Sequence, residues 1–88
     1  MKSRFLKSFS KDLDKISDQN DKDAILQVLF SCEKIISLSE LKNVKKLSGF
    51  HDAYRIRVRN YRIGVFLEKN ELVFARVAHR KDIYKIFP

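Results

Sequence analysis

The sequence has few of the residues that mark specialised small folds. Its 88 residues include one cysteine, one proline, two glycines and no tryptophan. A single cysteine excludes an internal disulfide framework and a multi-cysteine metal site. The scarcity of proline and glycine argues against a low-complexity chain. No apolar run approaches the roughly 20 residues that a membrane-spanning helix needs, and the first residues lack the apolar segment of a secretory signal.

What remains is the composition of an ordinary globular protein. Hydrophobic residues make up 44% of the chain, which is typical of a folded domain. This length supports one hydrophobic core, so we expect a single domain over residues 1–88. We also expect a cytoplasmic location without membrane attachment. No cofactor is expected, and two histidines without a carboxylate cluster make a metal site improbable.

Charge is distributed unevenly along the chain. Residues 45–88 hold 11 cationic and 4 acidic side chains, whereas residues 1–44 hold 8 and 7, so the second half carries most of the net charge of +8. A one-sided basic surface attracts polyanions. Nucleic acid is the first candidate partner, an acidic protein the second and an anionic membrane surface the third.

The first half has the periodicity of amphipathic helices. One apolar stripe comprises Phe5, Phe9, Leu13 and Ile16. Residues 2–6 are alternatively a short strand before a helix that begins near Ser8 or Ser10. After a polar turn, a second stripe comprises Ile25, Val28, Leu29, Cys32, Ile35 and Ile36. Asn20 or Asp21 is expected to cap this second helix, and Cys32 is expected to be a small buried hydrophobe.

The second half alternates in the manner of strands. Residues 54–58 alternate apolar and basic side chains, and tight turns at 59–60 and 69–70 separate strands at 61–68 and 71–78. The last residues form a short helical tail. We therefore predict an α+β fold: a short N-terminal strand and two antiparallel helices packed on an antiparallel β-meander, with a short C-terminal helical tail.

Arginines are expected to face one another in the first hairpin. A two-residue loop at 59–60 places Arg57 directly opposite Arg62. Like charges across a ladder destabilise a sheet, and such violations are typical of functional sites. Guanidinium groups bind phosphate through two parallel hydrogen bonds, so this pattern favours an anion-binding face.

The second hairpin is expected to extend that face. A loop at 69–70 pairs Gly64 with Ala75, which leaves a hollow where a ligand backbone could lie, and it brings His79 beside Arg62. The predicted face then collects five cationic or titratable side chains: Arg55, Arg57, Arg59, Arg62 and His79. Phe50, in contrast, is expected to belong to the core, as most aromatic side chains do.

Four segments occur in a fixed order: KKLSGF at 45–50, YRIRV at 54–58, YRI at 61–63 and HRKDIY at 79–84. This ordered set resembles the RelE branch of the RelE/ParE toxin superfamily, and the resemblance covers the whole chain. It implies a type II toxin that enters the ribosomal A site and cleaves mRNA without a metal, with the messenger's own 2′-hydroxyl as nucleophile. It also implies a cognate antitoxin as partner, with the toxin monomeric or in a hetero-oligomer.

The resemblance further implies roles for individual residues. Arg62 falls on a phosphate-binding arginine, Arg80 on the arginine after the last strand, and Tyr84 on a tyrosine that stacks on or orients the nucleotide. The expected catalytic residues are Arg57, Arg62, His79, Arg80 and Tyr84. The expected RNA-binding residues are Arg55, Arg59, Lys45 and Lys46, the two lysines lying in a loop.

One departure from the family bears on the chemistry. Arg55 and Arg57 stand where the family often has lysines. Because arginine stays charged, Arg57 is a poor general base but a good stabiliser of the transition state, and His79 is the expected acid or base. Two alternatives therefore stay open: a ParE-like inhibitor of DNA gyrase, and a catalytically degenerate member that binds RNA or antitoxin only.

Overall fold

A five-stranded sheet is the centre of the computed structural model, which describes all residues, Met1–Pro88. The strands are β1 (Lys2–Phe5), β2 (Val44–Lys46), β3 (Ala53–Val58), β4 (Tyr61–Glu68) and β5 (Glu71–His79). The helices are α1 (Lys7–Asp14), α2 (Gln19–Lys34) and α3 (Ile83–Ile86), with a 3₁₀ turn at Leu38–Glu40. The strand order is β1-β5-β4-β3-β2, and only β1 runs parallel to its neighbour. The predicted α+β fold with an N-terminal strand is confirmed.

The helix starts differ from the predicted ones. α1 begins at Lys7 without a side-chain cap, and the Ser8 hydroxyl donates to the Ala75 carbonyl at 2.6 Å instead. α2 is capped by Asp18, whose carboxylate accepts the Asp21 N–H at 3.0 Å. The polar turn before α2 contains several good capping residues. The predicted cap, Asn20 or Asp21, is therefore two or three residues after the observed one.

The larger core lies between α1, α2 and one face of the sheet. Phe9, Ile25, Ile63 and Phe74 are among its fully buried side chains. Cys32 is buried there as predicted, and burial raises the pKa of its thiol to about 11. No helix is both long enough and apolar enough to cross a membrane.

Ile36 was wrongly assigned to the apolar stripe of α2. The helix ends at Lys34, and Ile35 is already extended. Ile36 consequently turns away from the core and is 89% exposed. β2 was also missed: Lys45 and Lys46 lie on this three-residue edge strand and not in a loop. Its short length and charged side chains suit an unprotected sheet edge.

The two hairpins follow the predicted turns, but only the first keeps its predicted register throughout. Arg57 lies opposite Arg62, and Glu68 lies opposite Glu71. Between β4 and β5 the register then shifts at Gly64/Val65: Val65 pairs with Phe74, whereas Gly64 pairs with Arg76. Ala75 is therefore the extra residue of a β-bulge. Every later residue of β5 is displaced by one position from the sequence-based pairing.

α1 holds this bulge in place at the outer edge of β5. Asp12 accepts the Val77 N–H at 3.1 Å and binds the Arg76 guanidinium through both carboxylate oxygens, at 2.7 and 3.0 Å. The Ala75 carbonyl is the acceptor for Ser8. β1 pairs with β5 only as far as Phe74, so side chains of α1 satisfy backbone groups that β1 does not reach.

The C-terminal segment covers part of the second sheet face. Ala53, Ala75, Ile83 and Phe87 form a small buried cluster there. The Phe87 ring lies so close to Gly64 that a Cβ on this glycine would overlap the ring. The expected hollow beside Gly64 is thus filled by the chain's own phenylalanine. Gly64 is required for close packing within the protein and leaves no space there for a ligand backbone.

Candidate functional site

The uncovered part of the second sheet face carries the arginines of β3 and β4. The register places Arg55 opposite Gly64 and Arg57 opposite Arg62, as the sequence predicted. We call the surface formed by Arg55, Arg57, Arg62, Arg80 and Tyr84 the arginine face. Repulsion between two arginines paired directly across strands destabilises the sheet.

Arg62 lies at the centre of the arginine face. Its Nη1 donates to the carbonyls of Arg59 and Tyr61 at 3.1 and 2.9 Å. Partial burial lowers the pKa of its guanidinium, and the nearby charges of Arg55, Arg57 and Arg80 lower it further. The side chain thus sits in a field of positive charge that a bound anion would neutralise.

The arginine face is completed by two residues that follow β5 in the chain, Arg80 and Tyr84. The Arg80 N–H donates to the Asn60 carbonyl at 2.8 Å, which fixes the chain at the β3–β4 turn. α3 then carries Tyr84, whose ring is largely exposed and whose hydroxyl accepts a hydrogen bond from Arg55 Nε at 3.3 Å. Packing of Ile83 and Phe87 on the sheet holds this short helix in position.

β2 adds cations beside the arginine face. Lys45 lies opposite Arg55, and Arg57 Nη2 donates to Asn43 Oδ1 at 3.2 Å. An open concavity of about 300 Å³ is lined by Lys42, Asn43, Val44, Lys45, Arg55 and Arg57. No pattern in the sequence marks Lys42 or Asn43, since their contribution depends on the pairing of the short strand β2 with β3.

His79 does not lie on the arginine face, which corrects the predicted register. The bulge at Ala75 pairs His79 with Tyr61 in place of Asn60, on the face that packs under the helices. The His79 Nδ1 accepts the Lys81 N–H at 3.2 Å. The register thus places His79 and Arg62 on opposite faces of the sheet.

Arg59 is also separated from the other arginines. It lies in the tight turn with a φ of 57°, where the chain reverses and strand alternation no longer applies. Its Nε forms an ion pair with Asp21 Oδ1 at 2.9 Å. This contact directs the side chain towards the start of α2, so the expected grouping of Arg59 with Arg55 and Arg57 is wrong.

The geometry of the arginines is suited to binding phosphate. The arginines themselves are poor acids and bases. Guanidinium groups from β3, β4 and the segment after β5 converge without an intervening carboxylate. Arginine binds phosphate oxygens in a bidentate manner and does not titrate near neutrality. Tyr84 and Lys45 are the neighbouring side chains that can exchange a proton.

A sheet with two helices on one face and converging arginines on the other defines the protein as a small basic α+β protein. The family model described as ParE toxin of type II toxin–antitoxin system, parDE, matches residues 4–84. The chain belongs to this toxin family. Toxin RelE3 of Methanocaldococcus jannaschii is 44% identical over 89 positions, covering 100% of both chains.

Solved structures give the same result. The RelB–RelE antitoxin–toxin complex from Methanococcus jannaschii matches with a TM-score of 0.82 at 39% identity, covering 97% of this chain and 99% of that chain. The archaeal RelE–RelB complex from Pyrococcus horikoshii matches with a TM-score of 0.73 at 20% identity, covering 93% and 97%. The second likeness concerns the fold alone. Together with the curated relative, the first places the protein with the RelE toxins.

Proposed function

We propose that this toxin inhibits translation by cleaving mRNA in the ribosomal A site. The proposal depends on one observation, the cluster of charges around Arg62, which lies near Arg55, Arg57 and Arg80. The Tyr84 hydroxyl accepts a hydrogen bond from Arg55 in the same cluster. Such a cluster suits a phosphodiester whose negative charge increases during the reaction. Kinship with Toxin RelE3 supports RNA as the substrate.

The reaction begins with attack of a ribose 2′-hydroxyl on the adjacent phosphorus. A new P–O2′ bond forms, the P–O5′ bond breaks, and the products are a 2′,3′-cyclic phosphate and a 5′-hydroxyl. The proton of the 2′-hydroxyl passes to solvent water, and the 5′-oxygen receives one from a donor on the protein. In our proposal the guanidinium groups of Arg57, Arg62 and Arg80 stabilise the transition-state charge, and no metal is required.

We assign the proton exchange on this face to Tyr84 in preference to His79. The Tyr84 hydroxyl is exposed and lies within hydrogen-bond distance of Arg55, whereas His79 is turned to the other face of the sheet. A tyrosine hydroxyl can donate a proton to a leaving oxygen. Its ring can also stack on a base.

We further propose that a cognate antitoxin silences the toxin in the cytoplasm. RelE relatives have been solved as complexes with RelB antitoxins. The net charge of +8 favours an acidic segment of that partner, because opposite charge speeds and orients association. Coverage of the arginine face by such a segment would exclude RNA.

Reconstituted translation tests the proposal. Addition of the purified toxin should give codon-phased mRNA breaks that end in a 2′,3′-cyclic phosphate and a 5′-hydroxyl. The Arg62→Ala variant should not produce them. Arg4→Ala is a matched control, because Arg4 is exposed and pairs with Glu68 and Glu71 at the β4–β5 turn, at the other end of β4 from Arg62; it should cleave normally. Intact mRNA at saturating toxin would overturn the proposal.

A second function has specific support, because the matching family model describes a ParE toxin. The same preparations should therefore be added to a DNA gyrase supercoiling reaction. Inhibition of supercoiling with unimpaired translation would favour a gyrase inhibitor. If the toxin inhibits neither translation nor supercoiling but binds its antitoxin tightly, a catalytically degenerate member would be favoured.

A further inference from the structure

Phe50 is exposed although aromatic residues of its kind usually enter the core. It follows Gly49, which adopts a φ of 85°, a conformation that few residues other than glycine accept. Phe50 lies in the loop between β2 and β3, and its side chain is 47% exposed. Single exposed hydrophobic side chains are common and do not by themselves mark a site, so the surroundings of Phe50 decide whether it has a role.

The ring lines an open concavity of about 560 Å³ together with Tyr84. The remaining lining residues are Lys45, Lys46, Leu47, Ser48 and Gly49. Two exposed aromatic rings, the Lys45 side chain on the face of Arg55 and a serine hydroxyl thus lie around one space. Sites for single-stranded nucleic acid combine these chemistries: aromatic surfaces stack on bases, and cations follow the backbone.

This concavity continues into the arginine face. Lys45 lines both the concavity of Phe50 and the one that contains Arg57. Tyr84 is hydrogen-bonded to Arg55, which belongs to the second concavity. A polynucleotide whose phosphate is bound by the arginines therefore reaches the Phe50–Tyr84 space without leaving the basic surface.

We propose that Phe50 and Tyr84 line a slot for one unstacked base of single-stranded RNA, next to the phosphate held by the arginines. Lys45, which lies opposite Arg55, binds a phosphate that flanks this base. The proposal rests on RNA being the substrate and adds a base-binding residue, Phe50, which positions the nucleotide beside the cleaved bond through stacking.

The test uses a short single-stranded RNA that carries 2-aminopurine, whose fluorescence is quenched when it stacks. At saturating wild-type protein in low salt, fluorescence should fall. Phe50→Ala should lose most of this quenching and bind at least about tenfold more weakly, as expected for loss of one base–aromatic stack. Phe50→Tyr should retain both properties, and Phe50→Leu should resemble Phe50→Ala.

Phe30→Ala is the matched control, because Phe30 is 56% exposed on α2 and lines no concavity. It should bind and quench as the wild type does. Undiminished quenching in Phe50→Ala, or absence of quenching by the wild type at saturation, would overturn the slot. So would a Phe50→Ala variant whose only defect is weaker antitoxin binding.

The slot and the proposed cleavage fail separately. Wild-type toxin that cleaves ribosome-bound mRNA while Phe50→Ala cleaves with unchanged rate and base preference would refute the slot alone. Wild-type toxin that leaves mRNA intact would refute cleavage, and the quenching assay on free RNA would still report stacking at Phe50.

Discussion

Tyr61 and His79 face each other across β4 and β5, with ring centroids 5.9 Å apart and ring planes at 72°. One extra residue in β5, Ala75, is responsible for this pairing. Because side chains of a strand alternate between faces, a displacement by one position exchanges their environments. The imidazole is therefore separated from the arginine face, and the site contains guanidinium groups and a phenol without a histidine.

His79→Gln should leave mRNA cleavage close to the wild-type rate. The pairing with Tyr61 removes His79 from the reacting phosphate, so no limb of the pH–rate profile near neutrality should disappear. The measurement is the rate of cleavage of ribosome-bound mRNA between pH 6 and 8.5. Loss of such a limb in His79→Gln, with folding intact by circular dichroism, would show that His79 exchanges a proton after all.

Arg62→Ala should separate activity from stability. Removal of one preorganised charge beside the phosphate should lower cleavage by about 100-fold or more. The free energy of unfolding should stay within about 1 kcal/mol of the wild type or rise, since the change relieves repulsion across the β3–β4 ladder. Thermal and urea unfolding measure the second effect. A large fall in melting temperature would contradict our account of Arg62 as a site residue.

Asp12→Ala should destabilise the protein through the bulge. The substitution leaves the Val77 N–H and the Arg76 guanidinium without their shared acceptor, at an expected loss of about 2 kcal/mol. Asp12→Asn retains one acceptor oxygen and should lose less. Urea unfolding gives the comparison, with the exposed Asp14→Ala as control on the same helix. Equal stability of Asp12→Ala and Asp14→Ala would show that the bulge needs no support from α1.

Gly64→Ala should disturb the C-terminal segment. The new methyl group would collide with the Phe87 ring, which should lower the free energy of unfolding by about 1–3 kcal/mol. Cleavage should also fall, because α3 carries Tyr84. In a double-mutant cycle with Phe87→Leu, the combined loss should be smaller than the two single losses added together. Strict additivity would contradict a direct contact between Gly64 and Phe87.

Local patterns predicted the elements that depend on neighbouring residues. Alternation over Tyr54–Val58 and the two tight turns placed Arg57 opposite Arg62, because hairpin register depends on turn length. The apolar stripe of α2 identified Ile25, Leu29 and Cys32 as buried. Helix caps were less certain, because a polar tract offers several equivalent residues. β2 escaped detection because three residues carry too little periodicity.

By itself the sequence determined the α+β class, the basic second half and the pairing of arginines between β3 and β4. Tertiary structure decided the rest of the site. The contact of Asp12 with β5 stabilises a bulge that moves His79 to the other face, and Asp21 draws Arg59 towards α2. Phe87 fills the space at Gly64, whereas Phe50 stays in solvent. These outcomes depend on side chains distant in sequence, which local periodicity does not encode.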